Sequence, residues 1–363
     1  MNIGIDCSRI EIKQKTGTEW YSYYIVKNIL NIDKKNQYFL FSREKLSYEF
    51  TNFNNVKNIV LNWPMKKFWT IFRLSLSLKK YNLDIFFSPS HNLPICHCKK
   101  IITWHDLGYK HYPDYYSFLQ KISLNLGANK LKKTDAIISP SFFTKKDIIK
   151  IYNINEEKIR VISHGIDFEK YENTIYNREI LEKFNLKKYF VYIGRLETKK
   201  NIESLIDFYD GYCVEFGLNY DLVLIGGPGY GYEKIKFRID NSKFKEHIKI
   251  LGYVGEGEKI QILKNCSLYL NFSNFEGFGM TILEAVILKV PLLISDLEVF
   301  REINLDEICY TNDFRSDAIR KAMKILKDQE FKNYLVEKNF EILKNYTWKN
   351  TAEKTIEVFN NLK

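Results

Sequence analysis

No hydrophobic run in this chain approaches the ~20 residues that a bilayer crossing requires. The first residues, MNIGIDCSRI, lead straight into a strand-like segment and lack the basic, apolar and small-residue sections of a secretory signal. A cytoplasmic protein is therefore the expectation. No internal repeat and no low-complexity linker is visible. Cysteines are few: Cys7, Cys96, Cys98, Cys213, Cys266 and Cys309 lie scattered, most of them in apolar contexts. Only Cys96-His97-Cys98 resembles a ligand cluster, and nothing supplies partners for it at zinc-site spacing, so the six read as reduced thiols. What remains is an ordinary globular composition, 45% hydrophobic and 27% charged. At 363 residues the chain is too long for one compact core, and two domains are expected.

Charge is distributed unevenly. Residues 1–150 hold 24 Lys and Arg against 11 Asp and Glu, a surplus of 13, whereas the whole chain carries +11. The remainder is therefore close to neutral. One half faces something anionic: a membrane surface, a nucleic acid or a polyanionic substrate. Within that half, WPMKKFWTIFRLSLSLKKY (Trp63 to Tyr81) mixes Trp63, Phe68, Trp69 and Phe72 with Lys66, Lys67, Arg73, Lys79 and Lys80. A basic amphipathic helix with exposed aromatics suits an anionic membrane interface. A helix packed on a sheet with a solvated basic face would show the same pattern.

Short apolar runs that end in Gly or polar residues alternate with helical patterns along the whole length, which predicts open α/β sheets. In the first half these runs are Ile3 to Cys7, Tyr38 to Ser42, Val56 to Leu61, Asp84 to Phe87, Lys100 to Trp104, Asp135 to Ser139 and Ile159 to Ile162. Lys15-Thr16-Gly17-Thr18 precedes a helix Glu19 to Leu30, either as a phosphate-facing loop or as a plain turn capped by Thr18. His105-Asp106 follows a strand's carboxyl end, a good position for a ligand cleft. Pro113 to Leu131 reads as an aromatic-rich helical stretch, and Ser141 caps a helix Phe142 to Tyr152.

The second half opens on Tyr189 to Ile193, then Gly194-Arg195-Leu196-Glu197-Thr198-Lys199-Lys200 and a helix from Asn201. Two cations at that place, Arg195 and Lys200, form a diphosphate clamp or a solvated turn. The key stretch is Asn271 to Asp296: a strand end, a loop with Gly277 and Gly279 flanking Phe278, a helix Thr281 to Lys289, and a further strand. Glu276 stands in the loop and Glu284 about one turn inside the helix. The loop and the first free N–H groups of the helix make an anion site between the two carboxylates. A surface Glu beside a Glu that complements the helix dipole would look the same. After Leu305 two helices are expected, with Tyr346-Thr347-Trp348 between them.

Taken together, these motifs resemble the retaining, nucleotide-sugar-dependent glycosyltransferases of family 4, the "group 1" enzymes of the GT-B fold. The resemblance rests on Gly194-Arg195-Leu196 with Lys200-Asn201, on Glu276-Gly277-Phe278-Gly279, and on Glu284-Ala285. His105-Asp106, Ser139-Pro140-Ser141, Ser163-His164-Gly165 and Thr347-Trp348 add to it in the flanking regions. It implies two Rossmann-like α/β domains facing a cleft: an acceptor-binding domain (1–170), a nucleotide-sugar-binding domain (171–345) and a last helix (346–363) that packs back on the first. It further implies that Arg195 and Lys200 hold the donor diphosphate, helped by the backbone of Gly277, Phe278, Gly279, Met280 and Thr281. Glu276 would bind the donor sugar, Glu284 the ribose, and Val254 would lie by the base. His105 would lie beside the sugar, and Gly17 would let the first loop approach the diphosphate. No metal or other cofactor is implied, and no Asp-x-Asp is present. Departures include Glu19 in place of a second loop glycine and Met280-Thr281 in place of Leu-Pro.

The expectation is thus a metal-independent hexosyltransferase, peripheral at the inner face of the cell membrane. It would use a GDP- or UDP-sugar and a lipid-linked acceptor of O-antigen, capsule or lipopolysaccharide type. A GT-B epimerase or phosphorylase is the same-fold alternative. A basic nucleic-acid-binding protein is the alternative from another class, without a recognisable motif to support it.

Overall fold

The computed structural model describes residues 1–362 apart from 64–68, 117–120, 122–123, 126–129, 173–174 and 176. The chain divides into two units, Met1–Gly165 with Tyr346–Lys363, and Ile166–Asn345. Each is built on its own parallel sheet.

The first sheet has seven strands: β1 (Asn2–Asp6), β2 (Gln37–Ser42), β3 (Val56–Val60), β4 (Ile85–Ser88), β5 (Lys99–Thr103), β6 (Ala136–Ser139) and β7 (Ile159–Val161). Their order is β3-β2-β1-β4-β5-β6-β7, and every pair is parallel. Parallel strands covered on both faces are apolar throughout, and β4 and β6 are buried at every position. The Phe142–Tyr152 helix begins as expected, with Ser141 Oγ accepting from Thr144 N. The last helix, Trp348–Asn360, packs along the Gly17–Ile32 helix of this unit. Trp348 is 4% exposed and stacks on Tyr24, centroids 5.2 Å apart. Gly165 lets this happen: a Cβ there would lie 2.2 Å from the Trp348 backbone nitrogen.

The second sheet holds β8 (Tyr189–Ile193), β9 (Asp221–Ile225), β10 (Ile248–Gly252), β11 (Leu268–Asn271), β12 (Leu292–Ser295) and β13 (Tyr310–Thr311). The order is β10-β9-β8-β11-β12-β13, again parallel. Strand order reverses between β8 and β11, and in such sheets ligands bind beyond the carboxyl ends of the strands at the reversal. Gly194 to Lys200 leaves β8, and Phe272 to Gly279 leaves β11.

Four expectations need correction. The helix after β1 starts at Gly17, and its cap is Thr16, not Thr18. Thr16 joins Glu19 in a capping box, so the residue standing for a second glycine closes the helix end instead. Three helices, not two, complete the chain after Leu305: Ser316–Lys327, Gln329–Phe340 and Trp348–Asn360. The helix Tyr232–Asp240 was not foreseen, because only Ile235 and Ile239 in it are buried. Finally, Trp63 to Tyr81 is not one amphipathic helix. A π-helical segment, Trp69–Leu74, runs into a single α-turn, Ser75–Leu78, while Lys66, Lys67 and Phe68 lie outside the described residues. Trp69 belongs to the core, fully buried, and its indole N–H donates to the Leu61 carbonyl at 2.8 Å. The reading of Pro113 to Leu131 falls largely outside the described residues. All six cysteines are free. Among the described residues no helix is long and apolar enough to cross a membrane.

Candidate functional site

The second unit assembles its charged residues at the β8/β11 reversal. Lys200 Nζ lies 2.6 Å from Glu276 Oε1, both side chains mostly covered. Ser273 Oγ lies 2.9 Å from Glu276 Oε1 and 2.7 Å from Asn271 Oδ1, so its one proton is shared between two acceptors, and the Ser273 N–H donates to Asn271 Oδ1 at 3.1 Å. Polar residues at the end of β11 thus fix the carboxylate that the loop presents. Asn274 N donates to the Lys199 carbonyl at 2.9 Å, which ties the two loops together. Below them Tyr192 is buried. That burial, with Glu276 as the next cause, pushes its phenol well above the usual value. Arg195 follows β8, is exposed, and its Nη2 donates to the Pro228 carbonyl at 3.3 Å.

The Met280–Ile287 helix begins at Gly279, whose φ of +141° is a conformation that side-chain-bearing residues avoid. The N–H groups of Met280 and Thr281 have no acceptor among the described residues, so the first turn offers two donors to an anion. Phe278 is buried, and Thr281 Oγ1 accepts from Tyr269 Oη at 2.8 Å. One turn further, Glu284 is 7% exposed. Its Oε1 accepts from Lys259 Nζ at 2.8 Å, while Oε2 is buried with no hydrogen-bond partner among the described residues. Val254 lies buried between β10 and the Glu256–Lys264 helix that supplies Lys259.

The two other candidates belong to the first unit. Gly17 is the first residue of its helix, with open space where a Cβ would project. His105 is buried after β5 in a group of rings: Tyr21 at 4.8 Å, and His91 and His164 both at 5.4 Å. Its Nε2 lies 3.0 Å from the Pro89 carbonyl, which can only accept, so Nε2 carries the proton. Burial holds its pKa below the usual histidine value. Its backbone N–H donates to His91 Nε2 at 3.2 Å. Burial, with His105 second, lowers the His91 pKa to about 3.

Within one unit, then, Lys200 pairs with Glu276 in the loop before the helix, and Glu284 inside that helix pairs with Lys259. Lys259, Ser273 and His91 were missed as site residues. Glu256 and Lys259, three apart on one helix, gave a local hint of an ion pair. Nothing local connects Lys259 to Glu284, 25 positions away.

Matches to known proteins follow the same division. The family model described as "Glycosyl transferases group 1" matches residues 174–341, and "Glycosyltransferase Family 4" matches residues 37–170. The chain belongs to the group 1, family 4 glycosyltransferases. Curated relatives of this glycosyltransferase include the O-antigen chain mannosyltransferase RfbU of Salmonella typhimurium, 26% identical over 83% of the chain and 84% of the relative. The O-antigen chain mannosyltransferase B of Escherichia coli is 24% identical over 79% of the chain and 77% of the relative. Among solved structures, Anabaena Alr3699/HepE in complex with UDP-glucose superposes with a TM-score of 0.75 at 15% identity, covering 99% and 100% of the two chains. The glycosyltransferase has the GT-B fold.

Proposed function

We propose that this glycosyltransferase moves a hexose, mannose in the first instance, from a nucleoside diphosphate to a lipid-linked surface glycan, with retention of configuration and without a metal. The observation that carries the reading is the charge layout at the β8/β11 reversal. Lys200 is paired with Glu276, Arg195 follows the same strand as Lys200, the next helix opens with two N–H groups that have no acceptor among the described residues, and Glu284 inside that helix has a buried oxygen with no hydrogen-bond partner among them. A diphosphate matches the middle of that layout, and hydroxyl-bearing groups match its ends. The names of the curated relatives support mannose and O-antigen, and the bound UDP-glucose of the solved neighbour supports a nucleotide sugar.

In the proposed step the bond from the anomeric carbon to the diphosphate oxygen breaks. The acceptor hydroxyl oxygen bonds to that carbon on the same face, and its proton passes to the departing diphosphate. Arg195, Lys200 and the N–H groups of Met280 and Thr281 take up the developing negative charge, a contribution worth most where the donors are fixed in advance. Glu276 orients the sugar and Glu284 the ribose. Val254 lines the base.

The first unit is proposed to take the acceptor at the inner, cytoplasmic face of an anionic membrane. Phe72, Leu76 and Ile95 are exposed there at 55%, 64% and 68%. Ile95 N donates to Ser75 Oγ, which sets Ile95 beside the segment that carries Arg73, Lys79 and Lys80.

The test is incubation with GDP- and UDP-hexoses and a polyprenyl-diphosphate-linked oligosaccharide. Mass spectrometry reads the product, and NMR reads the new anomeric configuration. One added hexose with the donor's configuration is expected. Failure to bind or consume any nucleotide sugar would overturn the reading.

A further inference from the structure

Glu284 is held by one oxygen only. Its Oε1 receives Lys259 Nζ, while Oε2 is buried and unbonded among the described residues. A buried acceptor without a donor is costly, and such atoms in folded proteins call for a missing partner. Lys259 is confined as well. Its side chain is 12% exposed, and Nζ lies 2.9 Å from Glu256 Oε1 as well as 2.8 Å from Glu284 Oε1. Glu256 in turn pairs with Lys170. Burial alone would lower the Lys259 pKa, but the two carboxylates outweigh it and hold the ammonium above its ordinary value. A charged amine between two carboxylates cannot turn to a third acceptor without leaving one of them uncompensated. Glu284 therefore keeps one orientation, with Oε1 occupied and Oε2 available.

We infer that Lys259 is a positioning residue that presents Glu284 Oε2 to the vicinal hydroxyls of the ligand's ribose, and so selects ribonucleotides over deoxyribonucleotides. The inference rests on the nucleotide site proposed above. A ribose supplies two adjacent O–H donors to a carboxylate that accepts only. A ligand lacking them leaves a buried, charged acceptor bare, the situation in which binding sites discriminate most strongly. Lys259 touches no ligand atom in this scheme. Its effect passes through the Glu284 carboxylate.

The experiment is calorimetric titration of the full-length protein with UDP and GDP and with their 2′,3′-dideoxy counterparts. Wild type is expected to bind the ribo form of its nucleotide at least about tenfold more tightly than the dideoxy form. Lys259→Met is expected to bring that ratio close to one, by weakening ribo binding while dideoxy binding stays nearly unchanged. Lys259→Arg should recover most of the ratio. Glu256→Gln, which keeps Lys259 on Glu284, should retain it. A lysine that only stabilises the fold would weaken both ligands equally and leave the ratio intact. Wild-type discrimination preserved in Lys259→Met overturns the inference. So does a wild type that binds both forms alike, although nucleotide binding would then stand. Should Lys259→Met fail to fold, Lys259→Gln carries the same reading. A wild type that binds neither UDP nor GDP counts against the proposed function itself.

Discussion

Replacing Glu276 by Gln should change nucleotide binding and sugar transfer in opposite directions. In the free protein Lys200 is engaged with Glu276 at 2.6 Å, and both side chains are less than one-fifth exposed. At an effective dielectric of 20 to 40, two unit charges about 4 Å apart attract by roughly 2–4 kcal/mol. An arriving diphosphate competes for Lys200 and also meets the negative charge of Glu276. Desolvation and the remaining contact offset most of the attraction, so removing the carboxylate should favour a bare nucleoside diphosphate by about 1 kcal/mol, or roughly fivefold in Kd. The donor sugar is affected the other way. Hydrogen bonds to a charged acceptor contribute about 1.5–3 kcal/mol, so loss of the charge should lower kcat/KM for transfer about 10- to 100-fold. Calorimetry with UDP and GDP gives the first number, and a coupled assay of nucleotide release gives the second. The amide keeps the Ser273 contact at nearly the same volume, so gross misfolding is not expected. If nucleotide affinity falls in step with transfer, Glu276 does not compete with a diphosphate for Lys200, and the assignment of the two ends of the site is wrong.

Strands bounded by turn chemistry were legible from local sequence. Tyr189–Ile193 and Asp221–Ile225 are continuous apolar-rich runs closed by glycines, and Phe142–Tyr152 announces itself by the serine before it. Elements whose boundaries depend on a tertiary choice were not. Gln329–Phe340 is separated from the preceding helix by Asp328 alone, which ends one helix and caps the next by accepting from Phe331 N. That acid is indistinguishable from a solvated helical residue in sequence. Trp63 to Tyr81 shows the same limit. Composition reports aromatics among lysines, but only packing tells that Trp69 lies inside while Phe72 lies outside. At the site, Glu276 and Glu284 were legible because loop, helix start and spacing lie within one stretch. Lys259 was not, because parallel strands bring its helix to Glu284 through a crossover that no local pattern encodes.

Gly279→Ala should lower the thermal midpoint. The residue's φ is +141°, and a Cβ would meet Ile282, Ile303 and Phe300 at 3.2 to 3.3 Å, together costing about 2–3 kcal/mol, or a shift of ~5–10 °C by calorimetry. An unchanged midpoint would mean that the helix start relaxes freely, and then it is no fixed anion site. Mild acid should destabilise the first unit. His91, His105 and His164 are held neutral by burial, with folded pKa values below the ordinary one. The unfolded chain therefore takes up protons below about pH 6.5 that the folded chain refuses, and stability falls as pH drops through that window. The stabilised carboxylates, such as Asp207, Asp221 and Glu256, have lowered pKa values and lose their contribution only below about pH 4.5, so the two effects separate. His91 is only partly buried as a residue, so its share at pH 5 is on the order of 1–2 kcal/mol. Unfolding midpoints at pH 7.5, 6.5, 5.5 and 5.0 should fall progressively below 6.5 and fall less in His91→Asn. A flat profile down to pH 5 would mean that the histidine cluster takes up protons while folded, and the neutral form of His105 would no longer follow from its burial.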